Sequence, residues 1–219
     1  MNVSLFIAKR LVLGGRGKNY ISAPIIKIAI AAIAIGMVMM LISVATGLGL
    51  NYKIKEKVAA FNGDLQIISY ETNTAHISGS PISKNQTFYP NFTAVSGITH
   101  IQGIITTPGI IRTEETFEGI VAKGVSTDYS WRAFQDFIIH GRLPNYGGTL
   151  NNEVLISDLM AQKLSLKVGN TFRTFFIKND SKNTIPSQRI FKIVGIYDSG
   201  FESFDSSYIF VDLRHLQKI

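Results

Sequence analysis

Between Ile28 and Leu50 the chain runs for 23 residues, IAIAAIAIGMVMMLISVATGLGL, without one charged side chain. A helix rises about 1.5 Å per residue and the hydrocarbon core of a bilayer is about 30 Å thick, so a helix of this length crosses it. A buried core helix would usually carry some polar residue over so many positions. A cleavable signal sequence expects a short basic leader and an apolar stretch of roughly 7–15 residues. Here 27 residues precede a longer run, so the expectation is an uncleaved membrane anchor at residues 28–50.

The flanking charges set the orientation. Residues 1–27 hold Lys9, Arg10, Arg16, Lys18 and Lys27 and no acid, while Lys53, Lys55 and Lys57 on the other side are interrupted by Glu56. The larger excess is expected to stay inside, which places the N-terminus in the cytoplasm and the remainder across the membrane. The same charges explain the formal net charge of +7. Removing the five leader cations from 22 Lys and Arg leaves 17 against 15 acids, so no basic surface for nucleic acid is needed.

Residues 1–27 read as a cytoplasmic leader. Its apolar stretch VSLFIAKRLVL carries Lys9 and Arg10 on long stems and stops at Gly14, Gly15 and Gly17. It is either a helix lying at the membrane surface or an extension leading into the span. Within the span, Ala29, Ala32, Gly36, Ser43 and Gly47 share one side of a helix turning about 100° per residue. Small residues let a second helix approach closely, because association in lipid depends on packing rather than on expelling water. One span encloses no transport path, so a packing role would require helices from partners.

Residues 51–219 read as an α+β domain. The basic helical stretch YKIKEKVAAF continues to the turn at Asn62–Gly63, and the alternation in DLQIISY predicts a strand. A polar loop is expected over 71–90, then a helix opening after Pro90 and a strand near Ile101–Ile105. Further strands are expected at FEGIVAKGV, EVLI, TFRTFFI, RIFKIVGIY and SSYIFV, with short helices capped by Ser157 and Asp212. The last helix is cut short at Ile219, which predicts a longer protein.

Motifs for catalysis are missing. Gly14-Gly15-Arg16-Gly17-Lys18 lacks both the spacing and the Ser or Thr of a phosphate-binding loop, and no dinucleotide fingerprint, HExxH or GxSxG stands in the chain. His76, His100, His140 and His215 are scattered and there is no Cys. Glu114, Glu115 and Glu118 read as a solvated face. No catalytic, cofactor or metal residue is assigned.

The residues carry a resemblance. FIAKRL, the apolar span and VATGLGLNYKIKEKVAAFNGDLQI are followed in order by KGVSTDY with IIHGRLP, by NEVLISDLMAQKLSLKVGNTF, and by FKIVGIYDSGFESFDSSYIFVDLRHLQ. Together these resemble permease subunits of lipoprotein-releasing ABC transporters, within the MacB-type superfamily. The resemblance implies four membrane spans, of which this chain would hold the first, followed by a MacB-like extracytoplasmic α/β domain. It places an inserted small β-rich subdomain largely over Glu153–Tyr197, with Ser206–Ile219 returning toward the next span. It further implies residence in the bacterial inner membrane, with residues 51–61 as a helical stalk and 62–219 as the periplasmic core.

On that resemblance the protein is a non-catalytic permease without cofactors. Its implied partners are a cytoplasmic ATPase subunit, a second copy or a related permease, membrane lipid, a lipoprotein substrate and a periplasmic carrier. Tyr52, Lys53, Lys55 and Lys57 are the expected stalk residues, and Ala32, Gly36, Ser43 and Gly47 the expected helix-packing residues. A basic flank touching lipid headgroups is an equal reading of the lysines. Two other functions stay open: an exporter of a peptide, toxin or drug, and a single-span extracytoplasmic interaction protein.

Overall fold

The computed structural model describes residues 3–13, 22–69, 81–92, 95–176 and 186–219. The glycine turn expected at 14–17, and the first half of the polar loop expected over 71–90, lie outside these residues. The chain divides into two units, Met1–Val58 and Ala59–Ile219.

The first unit contains helix α1 (Val3–Leu13) and most of helix α2 (Ser22–Asn62). Pro24 falls in the first turn of α2, where its missing N–H costs nothing. From there α2 is long and apolar enough to cross a membrane, its most apolar 18 residues reaching a mean hydropathy of 2.7. None of that window is buried against protein, and Ile33, Met37, Met40 and Leu48 are each about two-thirds exposed or more. Apolar surface so extensive and continuous calls for lipid or another helix.

The second unit is built on one sheet. Its strands are β1 (Ile105–Arg112), β2 (Phe117–Val125), β3 (Ile138–Gly141), β4 (Glu153–Ser157), β5 (Thr171–Phe176), β6 (Ser187–Tyr197) and β7 (Tyr208–Asp212). They lie in the order β3-β6-β4-β7-β2-β1-β5, and a further pairing of β5 with the first half of β6 closes the sheet on itself. Two pairings, β2 with β7 and β4 with β6, are parallel; the others are antiparallel. The expected architecture, an apolar helix followed by an α/β domain with a mixed sheet, is the one found. Strands β4, β5 and β6, from the segment expected to carry the β-rich insertion, share this sheet with β1, β2 and β7.

Side chains alternate between the two faces of a strand, and here the alternation sorts two different cores. Ile120, Ala122, Val154, Ile156, Ile196, Ile209 and Val211 point to a mainly aliphatic side that also buries Phe172, Phe176 and Phe191. That side is covered by helices α3 (Asp158–Lys163) and α5 (Leu213–Leu216) through Met160, Ala161, Leu164 and Leu216. Val125, Leu155, Tyr197 and Phe210, from the same strands, point to an aromatic side that also holds Phe61, Tyr129, Phe134 and Tyr146. The caps are those the sequence predicts: Ser157 Oγ accepts the Met160 amide at 3.1 Å and Asp212 Oδ1 accepts that of Arg214 at 3.0 Å.

Three expectations need correction. Residues 64–69 form no strand, and Leu65 and Ile67 are 84% and 65% exposed. Alternation marks a strand only where a neighbouring strand supplies a ladder, and none pairs with it among the described residues. No helix follows Pro90 among the described residues; Gly97, at φ 110°, interrupts the stretch. The strand expected near Ile101–Ile105 instead begins at Ile105 and runs through Pro108-Gly109 to Arg112. Among the described residues β1 pairs with β5 from Gly109 to Arg112.

Candidate functional site where the long helix ends

A helix leaves its last four carbonyls without intrahelical partners. At the end of α2 all four are taken. Gly63, at φ 75°, turns its amide back to the Ala59 carbonyl at 2.7 Å, a left-handed cap that a Cβ would strain. The Tyr129 hydroxyl reaches the Ala60 carbonyl at 3.4 Å, and the Gln66 side-chain amide donates to the Asn62 carbonyl at 3.0 Å. The fourth, on Phe61, accepts the Lys123 ammonium. Lys123 belongs to β2 and Tyr129 follows it, so two of the four partners come from the sheet region rather than from the helix's own continuation.

The Phe61 ring fixes the same joint from the apolar side. It is 1% exposed, stacks on Phe204 with centroids 4.3 Å apart and planes 8° from parallel, and meets the edge of Phe134 at 4.9 Å. Tyr197 and Phe210 complete the surround at 6.0 Å each. Each well-placed aromatic pair adds about 0.5–1.5 kcal/mol beyond burial. Phe204 is itself held in place, because Asp205 accepts the Ser199 hydroxyl at 2.7 Å and the Phe201 amide at 3.3 Å, fixing the turn into helix α4 (Glu202–Asp205). Burial raises the Asp205 carboxyl, and the Ser199 bonds offset part of the rise.

Lys123 is 1% exposed, with the Phe210 ring 6.0 Å from its ammonium. Burial lowers its pKa to about 8. The negative end of the helix dipole and the Phe61 carbonyl are what it gains in exchange for water. The tyrosines of this face also turn their hydroxyls onto backbone: Tyr146 to the Phe210 carbonyl and Tyr197 to that of Tyr208, both at 2.9 Å. Burial pushes Tyr129, Tyr146 and Tyr197 upward, so all three stay neutral donors.

Beside this joint sits a polar node. Asp128 Oδ2 accepts the Tyr89 hydroxyl at 2.5 Å and the Gly103 amide at 3.0 Å, with the Lys84 ammonium 4.0 Å away. Burial pushes the Asp128 carboxyl up, but these three groups together hold it below its ordinary value. The Tyr89 phenol, hydrogen-bonded to that carboxylate and partly buried, is pushed up to about 12. His100 Nε2 bonds the Asp128 carbonyl at 2.6 Å, which requires the proton on that nitrogen.

The residues singled out from sequence all lie on α2. Ala32, Gly36, Ser43 and Gly47 are exposed, and a Cβ at Gly36 or Gly47 would meet no atom within 4 Å. Tyr52 is 67% exposed, Lys53 pairs with Glu56 at 2.7 Å, Lys55 is exposed and Lys57 half-buried. What sequence reasoning missed is Phe61, Lys123 and Tyr129. One signal was available: Lys123 is a lone cation inside the apolar strand IVAKGV. Nothing local says that its partner is a carbonyl 62 residues earlier. Among the described residues no three His, Asp or Glu side chains converge to hold a metal. The arrangement fastens a helix; no nucleophile and base are paired in it.

Fold and site thus define a long apolar helix joined to a mixed α/β domain that grips its last turn. The chain belongs to the family of MacB-like periplasmic core domains, whose model matches residues 28–219. Two solved structures are similar to it. One is the extracellular domain of the noncanonic ABC-type transporter YknZ from Gram-positive bacteria, at 18% identity over 57% of this chain and a TM-score of 0.40. The other is a domain of a protein described as a permease from Porphyromonas gingivalis, at 19% identity over 50% of this chain and a TM-score of 0.28. This chain spans 60% and 46% of the lengths of those two structures. No curated protein matches it.

Proposed function

We propose that the chain is the N-terminal part of a permease subunit of an ABC transporter that extracts lipoproteins from the bacterial inner membrane. In this reading residues 1–27 are a cytoplasmic leader, 28–50 the first span, 51–61 a stalk and 62–219 a periplasmic domain. A separate cytoplasmic ATPase supplies the energy, and the subunit pairs with a second copy or a related permease. Extraction needs such a source, because each buried lipid methylene withdrawn costs about 0.8 kcal/mol. The domain then hands the lipoprotein to a periplasmic carrier.

One observation carries the mechanical part. Helix α2 is unbroken from Ser22 to Asn62, and its final turn is bonded through its own carbonyls to Lys123 and Tyr129. A rigid helix fixed at that end transmits displacement where a loop would absorb it. Tyr52, Lys53, Lys55 and Lys57 line the transmitting stretch, and Ala32, Gly36, Ser43 and Gly47 form the surface on which partner helices pack.

The test is Phe61→Ala in the intact transporter reconstituted in vesicles. ATP hydrolysis continues while lipoprotein release falls about tenfold or more, the size of a lost coupling of about 1.4 kcal/mol. Release at the unaltered rate contradicts transmission through the helix end. Replacing Gly36 and Gly47 by Leu tests the packing surface, and unchanged assembly with unchanged release removes that role.

A further inference from the structure

Asp128 and Tyr129 are neighbours in the chain and hold different things. Asp128 binds the stretches carrying Lys84–Tyr89 and His100–Gly103, through Tyr89, Gly103 and its own carbonyl to His100. Tyr129 binds the helix end at the Ala60 carbonyl, and its ring packs edge-on to Trp131 at 4.8 Å and near Phe210 at 6.0 Å. Both stand in one tight turn closed by the Tyr129 amide on the Ser126 carbonyl at 3.1 Å. The next amide, Ser130, donates to the Gln102 side chain at 2.9 Å.

We propose that this turn links two docking events, so that the stretches Lys84–Tyr89 and His100–Gly103 are held to the domain only while the last turn of α2 is seated. Three features make the linkage two-state rather than graded. The Asp128 Oδ1 atom is buried without a hydrogen-bond partner among the described residues, so Tyr89, Gly103 and Lys84 supply the compensation for its burial. Losing them leaves a carboxylate without donors, which forces it outward. A four-residue turn has no slack, so Asp128 moving outward displaces the Tyr129 backbone. Tyr129 then loses the Ala60 carbonyl, which sits at the long end of hydrogen-bond range already. Unseating the helix end releases the two stretches in the same way, as the reciprocity of a free-energy linkage requires.

The two stretches carry no helix and no strand among their described residues, so their order depends on these few bonds. They therefore serve as a reporter of helix seating, a segment whose docking changes when α2 is pulled. The inference goes beyond the transport reading and does not require it. A chain with this linkage and no lipoprotein activity, or the converse, is a distinguishable result.

Hydrogen exchange on the full chain in lipid nanodiscs tests it in both directions. With Lys84→Met and Tyr89→Phe together, which take two partners from a carboxylate that stays in place, exchange quickens about fivefold or more in peptides covering 84–90 and 100–104, and also at the amides of 59–63, a factor at the low end of site–site couplings. With Phe61→Ala, exchange quickens at 59–63 and in both reporter stretches. Unchanged protection in β4 and β6 shows that the fold is retained. Where the double variant does not fold, Tyr89→Phe alone removes one hydroxyl and produces the same pattern at smaller amplitude. Quickening confined to the stretch that was mutated, in either direction, overturns the linkage.

Discussion

The two faces of one sheet are packed by different rules. The aliphatic face is covered by Met160, Ala161, Leu164 and Leu216 from two short local helices, each capped by its own preceding residue. The aromatic face is covered by Phe61 at the end of a 41-residue helix, and it carries the hydroxyls and the ammonium that bond helix-end and strand carbonyls. Aliphatic burial is non-directional and stabilises any compact arrangement. Hydrogen bonds and stacked rings accept one geometry. One face therefore holds the domain together, while the other fixes the residues of the last turn of α2 against the sheet.

The largest effect separates the two faces directly. Phe61→Ala removes a fully buried ring and costs about 3–5 kcal/mol, while Met160→Ala costs about 2–5 kcal/mol by the same cavity mechanism. Their consequences differ in kind. Denaturant unfolding of the full chain in detergent shows both losses, but only Phe61→Ala raises exchange at residues 59–63. If Met160→Ala loosens the helix end equally, the division between faces fails.

A pH series sharpens the comparison next. Lys123 has a native pKa of about 8 against 10.5 when exposed, so between these values the unfolded chain binds more protons than the folded one. Stability therefore rises with pH across that window, by up to about 3 kcal/mol, because the buried ammonium is discharged. The buried tyrosines act oppositely, but only as pH passes the ordinary phenol value near about 10. Midpoints measured from pH 7 to 9.5 rise, and Lys123→Met abolishes the rise. A flat series in the parent protein contradicts the burial of a charged Lys123.

The smallest effect is at Tyr129. Replacing it with Phe removes a bond at 3.4 Å and leaves the ring packing, so stability falls by about 0.5–1 kcal/mol in thermal unfolding.

What was legible in the sequence was local. The uncharged run from Ile28, the caps at Ser157 and Asp212 and the alternation of β6 each depend on neighbours within a few residues, and each is present. Strand β1 was hidden because Pro108-Gly109 is ordinarily turn chemistry, and nothing local marks it as part of a strand. The alternation at Leu65 and Ile67 misled for the opposite reason, being a strand pattern with no strand paired to it among the described residues. The joint itself unites residues 60, 61, 123, 129 and 204, and no periodicity reports a contact across such separations.

The seating of the helix end is tested most directly by a double-mutant cycle between Phe61 and Phe204, each replaced by Leu, followed by chemical unfolding of the full chain. Rings stacked at 4.3 Å predict a coupling energy of about 1 kcal/mol, with the double variant less destabilised than the two single variants added together. Strict additivity would mean that the two rings do not meet, and that the domain does not grip the helix.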